Sequence, residues 1–398
     1  MIPNLDSQVG ITIYSTEFNG IGGKIRVEPE DFQVTELISQ RAENCINDQE
    51  GYAVYKLKKK KIDTNHALSD IFRKKGIRLK SLGLKDASAI TEQFVCSTNK
   101  GKTIEFFSTD KYTLKKIGFV KKPLSKKDMI SNHFKIKIYD CANGLSSFIE
   151  YGKILNFYGY QRFGSKRPVT HLIGKAILQR DFKKAVDLIL SFTSPYDSKE
   201  NTEIREKLSD KANYKKYLDQ VPYQMDIEKI VLKEMIDHGD ALRAIRSIQI
   251  SLRRFYIQAY QSFLFNQSLS SAFSDGENLF DAELNDVCFD FHGIIGKYVK
   301  GLDQRLALPF VGYSYYKKTR FNYQISKILE QEEITPKDFF IKEMQEVSSE
   351  GGFRQAVVHC FDYSSSDTTI EFSLSRGSFA TILLREIMKP KDPIIAGF

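Results

Sequence analysis

Residues 83–96 read GLKDASAITEQFVC and place one acidic residue, Asp86, between a lysine and a run of small residues. The flanking segments are strongly basic, with KLKKKK upstream and TNKGK downstream. An isolated aspartate has an ordinary explanation, because Asp favours turns and helix N-caps. It also has a chemical explanation, a reactive carboxylate. Residues 83–96 alone leave both open, so the rest of the chain has to separate them.

The composition predicts a folded chain of two domains. At 398 residues the chain is longer than the size at which a single core stops growing. Hydrophobic residues make up 41% of the chain, and 29 Phe and 20 Tyr with no Trp can fill large cores. The composition therefore excludes an intrinsically disordered protein.

Cysteine and histidine usage argues against disulfides and metal. The five cysteines lie far apart without a CxxC pair, and the six histidines are scattered. We therefore expect no metal site and a reducing, cytoplasmic setting. The N-terminal residues lack the pattern of a signal peptide, and no apolar run approaches the roughly 18 residues of a membrane span. We expect no membrane association.

The charge pattern suggests a nucleic-acid surface. Lys and Arg number 59 against 50 Asp and Glu, a net charge of +9. Basic clusters recur at residues 56–61, 121–127, 162–167 and 317–320, several with aromatic residues beside them. A surface that binds nucleic acid combines cations that bind phosphate with aromatic rings that stack on bases. Exposed basic residues at the protein surface, with aromatic residues packed in the core beneath them, would give the same sequence pattern. The pattern alone therefore leaves both interpretations open.

The periodicities predict an α+β fold. The first 150 residues read as short strands with one helix, for which Asp63 or Thr64 is the N-cap and Gly76 the C-cap. Arg26 is expected on the first strand, in GGKIRVEPEDFQVTEL. Helical spacing dominates from about residue 165, and strand-like patterns return after residue 350. We predict a core of residues 1–164 and 351–398 with a mostly helical insertion, residues 165–350.

Common enzyme signatures are missing from the sequence. There is no GxxxxGK[ST], HExxH, GxSxG or GxGxxG motif, and the glycine-rich GIGGK leads into a predicted strand instead of a helix. We therefore expect a reaction that uses side chains alone, without a cofactor.

A set of motifs in order along the chain resembles one family. GLKDASAITEQ resembles the signature of the TruD family of tRNA pseudouridine synthases, in its archaeal-type branch. The matching segments are IRVEPEDFQVTE, NHFKIKI, NFYGYQRFGSKRPVTHLIGKAIL, AYQSFLFN, LPFVGY and GSFATILLREIMK. The chain departs from the pattern at Ser131, where glycine is usual, and at Leu155, where proline is favoured. Both departures affect turn geometry and leave the reacting groups in place.

The resemblance implies a fold and an activity. It implies a pseudouridine synthase core with a mixed, largely antiparallel sheet, an inserted helical domain, and tRNA as substrate, with uridine 13 as the target. Other structured RNA stays open as a substrate. No obligatory protein partner is evident, and a monomer is the default expectation.

The resemblance also implies roles for single residues. Asp86 matches the catalytic aspartate and Arg26 its basic partner, which would keep the carboxylate ionised by lowering its pKa. Asn132 and Phe134, two apart on a predicted strand, match the active-site pair and would share one face. Supporting roles are expected for Glu30 and Phe32, and RNA contacts for Lys85, Gln161, Arg162, Lys166 and Arg167.

Two other functions are compatible with a basic, aromatic-rich chain. The first is a catalytically silent RNA-binding or chaperone protein, which the presence of Asp86, Arg26, Asn132 and Phe134 together disfavours. The second is another RNA enzyme such as a methyltransferase, which the absence of a glycine-rich cofactor loop disfavours.

Overall fold

The structure is a computed structural model that describes residues 1–85, 87–290 and 293–398. Within these residues, none of the helices is both long enough and apolar enough to cross a membrane. All elements, contacts and cavities below belong to this part of the chain.

The strands are short and concentrate near the two ends of the chain. They are β1 (Phe32–Ile38), β2 (Tyr52–Lys59), β3 (Leu79–Ser81), β4 (Ile90–Ser97), β5 (Phe106–Ser108), β6 (Tyr112–Val120), β7 (Met129–Lys137), β8 (Lys153–Leu155), β9 (Val287–Phe289), β10 (Ile295–Lys297), β11 (Arg305–Phe310), β12 (Gly352–Gln355), β13 (Val357–Ser365) and β14 (Thr369–Ser375).

The helices concentrate in the middle of the chain. They are α1 (Asn4–Gln8), α2 (Gln40–Asn44), α3 (Thr64–Lys75), α4 (Thr170–Leu178), α5 (Phe182–Ser191), α6 (Lys199–Lys207), α7 (Tyr214–Tyr217), α8 (Asp226–His238), α9 (Ala241–Ser247), α10 (Ile250–Ser274), α11 (Asn322–Gln331) and α12 (Ala380–Met388). Seven short 3-10 helices accompany them in the described residues, among them Pro29–Asp31 just before β1.

A mixed sheet forms the main layer. Its described strands run in the order β5-β6-β2-β4-β1-β7-β14-β13-β8, with β3 paired to β4. The pairing of β1 with β4 is parallel, whereas β1 with β7 and β7 with β14 are antiparallel. The predicted α+β class with a mixed, largely antiparallel sheet is confirmed.

The register of the central strands sets one face of the sheet. Val34 on β1 pairs with Thr91 on β4 and with Phe134 on β7, and Phe134 pairs with Phe372 on β14. Because side chains alternate between the two faces of a strand, directly paired residues lie on the same face. This face therefore carries a row of apolar and small polar side chains across four neighbouring strands.

Helices α4 to α11 lie between residues 165 and 350, together with β9, β10 and β11. One hydrophobic cluster includes both sheet residues such as Ile136 and Phe372 and helix residues such as Ile177 and Leu264. The sheet and the helices are thus packed through one continuous core. The division into residues 1–164, 165–350 and 351–398 stays a prediction.

The predicted ends of α3 are confirmed. Asp63 is the N-cap and accepts a hydrogen bond from the backbone N–H of His66, and Gly76 ends the helix in the left-handed conformation. Both helix ends could be predicted from the sequence, because capping depends on the residue types at and next to the ends of a helix.

The placement of Arg26 on the first strand was wrong. Strand β1 begins only at Phe32, and Arg26 has a φ of 57°, outside any strand. The strand-like pattern of residues around Arg26 has another cause. The backbone of Lys24 pairs with Tyr139, and the N–H of Ile25 donates to the carbonyl of Ala396. Local alternation cannot distinguish such contacts from a regular strand.

Helices α4 and α10 pack tightly against each other at a glycine. A Cβ on Gly174 would lie 2.1 Å from the carbonyl oxygen of Tyr256. Alanine favours a helix over glycine by about 1 kcal/mol, but overpacking of this kind costs about 1–3 kcal/mol. We therefore expect Gly174→Ala to lower the free energy of unfolding in urea. Gly152→Ala is the control, since no atom lies within 4 Å of its added Cβ. An unchanged Gly174→Ala protein would contradict this packing.

A second prediction concerns pH. His171 on α4 is buried and stacks on Phe263 with 5.0 Å between ring centroids. Burial lowers the pKa of His171 from 6.5 to about 4, so between these values the unfolded chain binds more protons than the folded chain. Stability should thus fall as the pH drops from about 6.5 to 4.

The variant His171→Phe keeps a ring in the stack and removes this titration. We expect its free energy of unfolding to decline less than that of the wild type over the same pH range, in urea titrations at matched ionic strength. Parallel declines in the two proteins would refute the contribution of His171.

Candidate active site

A cavity of about 200 Å³ opens on the face of the sheet that carries Val34, Thr91 and Phe134. The start of α12 and the turn before β4 complete its wall. The lining residues are Arg26, Phe32, Val34, Leu84, Lys85, Ala89, Thr91, Asn132, Phe134, Gln161, Ser378, Phe379, Ala380 and Thr381.

Aromatic rings form the floor of the cavity. Phe134 stacks on Phe372 with 5.2 Å between ring centroids and an interplanar angle of 25°. Phe32 meets Phe134 edge to face at 6.2 Å. Asn132 lies two residues before Phe134 on β7, and both line the cavity as the spacing predicted. The floor is therefore held rigidly by packing within the sheet.

Arg26 lies at one side of this floor. Its Nη1 donates to the carbonyl of Gly397 at 3.0 Å, and its Cζ is 4.3 Å from the centre of the Phe32 ring. A left-handed φ of 57° is uncommon for a residue other than glycine, and such strain tends to occur at functional sites. The contacts to Gly397 and Phe32 hold a guanidinium group beside the cavity.

Two polar atoms in the wall lack a protein partner. Within residues 1–85, 87–290 and 293–398, neither Oδ1 of Asn132 nor Oγ1 of Thr91 makes a hydrogen bond, although both atoms are buried. An unpaired buried polar atom costs about 1–3 kcal/mol and is rare in proteins. Both residues line the cavity, so these two atoms are the unpaired polar groups of its wall.

Asp86 lies outside the described residues, so its predicted role is not tested by the geometry. Its neighbours in the sequence are informative, because Leu84, Lys85 and Ala89 all line the cavity. The segment that carries the candidate catalytic residue thus borders this cavity on both sides of position 86.

Lys85 reaches inward and forms an ion pair. Its Nζ lies 3.4 Å from Oε1 of Glu36, and the side chains are 8% and 0% exposed, respectively. Burial raises the pKa of Glu36, and the positive charge of Lys85 opposes that rise. The backbone N–H of Phe94 also donates to Glu36. Lys85 is thus positioned as a structural support of the wall.

The other predicted residues lie in different surroundings. Glu30 is exposed, lies outside the cavity lining, and its Oε1 is 4.0 Å from Nζ of Lys60. Gln161 lines the cavity near Thr381. Arg162 has its Cζ 5.2 Å from the ring centre of Tyr158, and burial lowers the pKa of its guanidinium. The structure thus brings Gln161, but not Glu30, to the cavity.

Arg167 is engaged within the protein. Its Nη2 donates to the carbonyls of Leu188 and Ile189, both at 2.7 Å, and its Nε to that of Phe192 at 2.9 Å. These carbonyls lie at the end of α5, which leaves its last C=O groups without helical partners. Glu228 forms an ion pair with Arg167 at 3.4 Å. Burial lowers the pKa of Arg167 to about 10.

The family model of tRNA pseudouridine synthase D (TruD) matches residues 8–387. The chain belongs to the TruD family. The resemblance read from the motifs is therefore confirmed, and the TruD family member described here is a tRNA pseudouridine synthase, an isomerase.

Relatives of the chain come from archaea. A protein named "Probable tRNA pseudouridine synthase D" from Pyrobaculum islandicum is 29% identical and aligns with 100% of this chain and 99% of its own length. A namesake from Methanosarcina acetivorans is also 29% identical, over 99% of this chain and 98% of its own. The crystal structure of a Methanosarcina mazei protein assigned to TruD superposes with a TM-score of 0.79 at 26% identity, covering 99% of both chains.

Several cavity residues were not singled out from the sequence. Thr91 lies in the TEQ part of the signature, and Ser378, Phe379 and Thr381 lie in GSFATILLREIMK, which was matched only as a block. The TruD motifs therefore contained the signal, but only the fold brings the end of the chain to the sheet. Among the described residues there is no group of three or more His, Cys, Asp and Glu that could hold a metal ion.

The contacts of Arg167 lead to a testable distinction from its neighbour Lys166, which is exposed. We expect Arg167→Met to lower the free energy of unfolding by about 3 kcal/mol, because Glu228 and the α5 carbonyls lose a buried partner. Lys166→Met should change stability by less than about 0.5 kcal/mol. Urea unfolding measures both. Equal stabilities of the two variants would show that the contacts of Arg167 are dispensable.

Proposed function

We propose that this TruD family enzyme converts uridine 13 of tRNA to pseudouridine, with Asp86 as the reacting carboxylate and without a cofactor. The activity on tRNA follows from family membership. The target nucleotide comes from the family resemblance alone, and the role of Asp86 comes from the matching motif and from the neighbours of position 86 that line the cavity.

The reaction is an isomerisation. The N1–C1′ bond of uridine breaks, the uracil turns, and a C5–C1′ bond forms, while the hydrogen on C5 is lost and N1 gains one. A carboxylate at the sugar can act as a nucleophile on C1′ or as a base on the ribose. Either role requires the ionised form, and an arginine nearby favours that form. Arg26, beside the cavity, is the candidate for this part.

The observation that carries the proposal is the pairing of rings with unsatisfied polar atoms in one cavity. A detached uracil must be held while it turns, and aromatic rings hold a flat base without fixing its rotation. Phe134 and Phe32 supply rings at the floor. The rigid packing of Phe134 on Phe372 keeps this surface in place.

The polar atoms suit uracil in particular. Oδ1 of Asn132 can accept a hydrogen bond from N3–H, and the hydroxyl of Thr91 can donate to a carbonyl oxygen of the base. Cytosine has no hydrogen on N3 and would leave Asn132 unpaired. A bound uracil would supply a partner to each of these two atoms, which supports the proposal.

The target uridine has to leave its stack to reach this cavity. Unstacking costs a few kcal/mol, which phosphate contacts from a basic protein can offset. The net charge of +9 fits this requirement. We propose that the helical part of residues 165–350 closes over the RNA and that the enzyme acts as a cytoplasmic monomer. Its substrate is tRNA, and total RNA tests for further structured substrates.

The test uses purified protein, unmodified tRNA transcripts and no added cofactor. Pseudouridine is mapped by primer extension after carbodiimide treatment, with Asp86→Asn in parallel. We expect a stop at uridine 13 with the wild type and none with the variant, because an amide can neither attack C1′ nor accept a ribose proton. The Kd for tRNA should stay within about three-fold, since phosphate contacts dominate binding.

Asp140→Asn is the matched control, since it makes the same chemical change on an exposed carboxylate outside the cavity lining. It should retain the stop. Turnover by Asp86→Asn would remove Asp86 from the reaction. Binding of tRNA without any stop, with transcripts and total RNA alike, would favour a catalytically silent RNA-binding protein. A stop at another uridine would change the assigned target.

A further inference from the structure

Four buried polar side chains surround the segment that leads into Asp86. Glu36, Lys59 and Thr64 are each 1% exposed and Gln93 is 0% exposed. They belong to β1, β2, α3 and β4, respectively. Each of them contacts residues 83–85, as the hydrogen bonds below show. We call these four residues the polar clamp.

Lys59 is the least expected member of the polar clamp. It lies in the run KLKKKK, whose charge suggests an RNA surface, yet its side chain points inward while its neighbours Lys58 and Lys60 are exposed. Its Nζ donates to the carbonyls of Ile62 at 2.9 Å and of Lys85 at 3.0 Å. A buried ammonium group is costly unless such acceptors satisfy it.

The carbonyl of Lys85 is also that of the peptide bond joining residues 85 and 86. Thr64 adds contacts to the same residue, because its Oγ1 accepts from the N–H of Lys85 at 2.9 Å and its own N–H donates to the Lys85 carbonyl at 3.3 Å. Both backbone polar groups of Lys85 are thus held by α3 and β2.

The remaining members hold the segment from the other side. Nε2 of Gln93 donates to the carbonyl of Gly83 at 3.1 Å, and Oε1 of Gln93 accepts from Oγ1 of Thr64 at 2.8 Å. Glu36 pairs with the Lys85 side chain at 3.4 Å. The polar clamp therefore fixes the chain immediately before position 86 by contacts from four separate elements.

We propose that Lys59 is a positioning residue for the reaction, and that its ammonium group fixes the peptide bond before Asp86 so that the carboxylate meets the ribose. The inference rests on the proposed role of Asp86. Misplacement of a reacting group by about 1 Å can slow a reaction about 100-fold. Because Lys59 is buried and holds the protein, RNA binding should not depend on it.

The experiment measures single-turnover pseudouridine formation at saturating tRNA transcript, together with the Kd for the same tRNA. Lys59→Met keeps the length of the side chain and removes its donors. We expect the rate to fall about 100-fold and the Kd to stay within about three-fold. If Lys59 instead bound a phosphate of the RNA, its loss would raise the Kd for tRNA.

Two controls separate positioning from stability. Lys175→Met removes a half-buried ammonium that donates to Glu332 at 2.8 Å, outside the cavity lining, and should keep the wild-type rate. Thr64→Val removes the hydroxyl that contacts Lys85, whereas Thr64→Ser retains it. We expect Thr64→Val to slow the reaction at least about ten-fold, and Thr64→Ser to stay within about three-fold of the wild type.

The outcomes are distinct. A folded Lys59→Met protein with a wild-type rate would overturn the inference. A variant that binds tRNA more weakly but reacts at the wild-type rate at saturating tRNA would overturn it as well. If Lys59→Met fails to fold by circular dichroism, equal rates of Thr64→Val and Thr64→Ser would overturn the positioning of this segment. An inactive wild type would instead refute the proposed function.

Discussion

Arg385 has a side chain with 0% exposure, and its guanidinium group ties together the two ends of the chain. It contacts Asp6 at 2.6 Å, Glu386 at 3.0 Å and the carbonyl of Ile13 at 2.8 Å. The two carboxylates keep the pKa of Arg385 above its usual value against the effect of burial. Removing one partner from such a group typically costs about 3–5 kcal/mol, because a buried charge is left uncompensated.

This ionic contact lies in α12, and the cavity depends on where α12 begins. Ser378, just before α12, and Thr381, in its first turn, line the cavity. The last residues of the chain also hold Arg26 through the carbonyl of Gly397. The wall and the guanidinium group are therefore positioned by C-terminal segments that are distant in sequence from β1, β4 and β7.

The buried polar groups near the cavity fall into two classes. Lys59 and Gln93 donate to backbone carbonyls, and they hold the chain before Asp86. In the part of the chain that the structure describes, Thr91 and Asn132 line the cavity, and each has a buried polar atom without a hydrogen-bond partner. Because proteins rarely leave buried polar atoms unpaired, this difference is the basis on which we assign Lys59 and Gln93 to holding the protein and propose Thr91 and Asn132 as contacts of the substrate.

The sequence by itself determined the TruD family, the α+β class, and the ends of α3, because motifs and helix caps depend on residue type at short spacing. It also placed Asn132 and Phe134 on one face of a strand. Only the tertiary structure decided that Lys59 is buried within a basic run and that Arg167 is bound by α5. Such assignments depend on contacts between distant segments, like that between Asp6 and Arg385, which are 379 residues apart. Local periodicity carries no information about them.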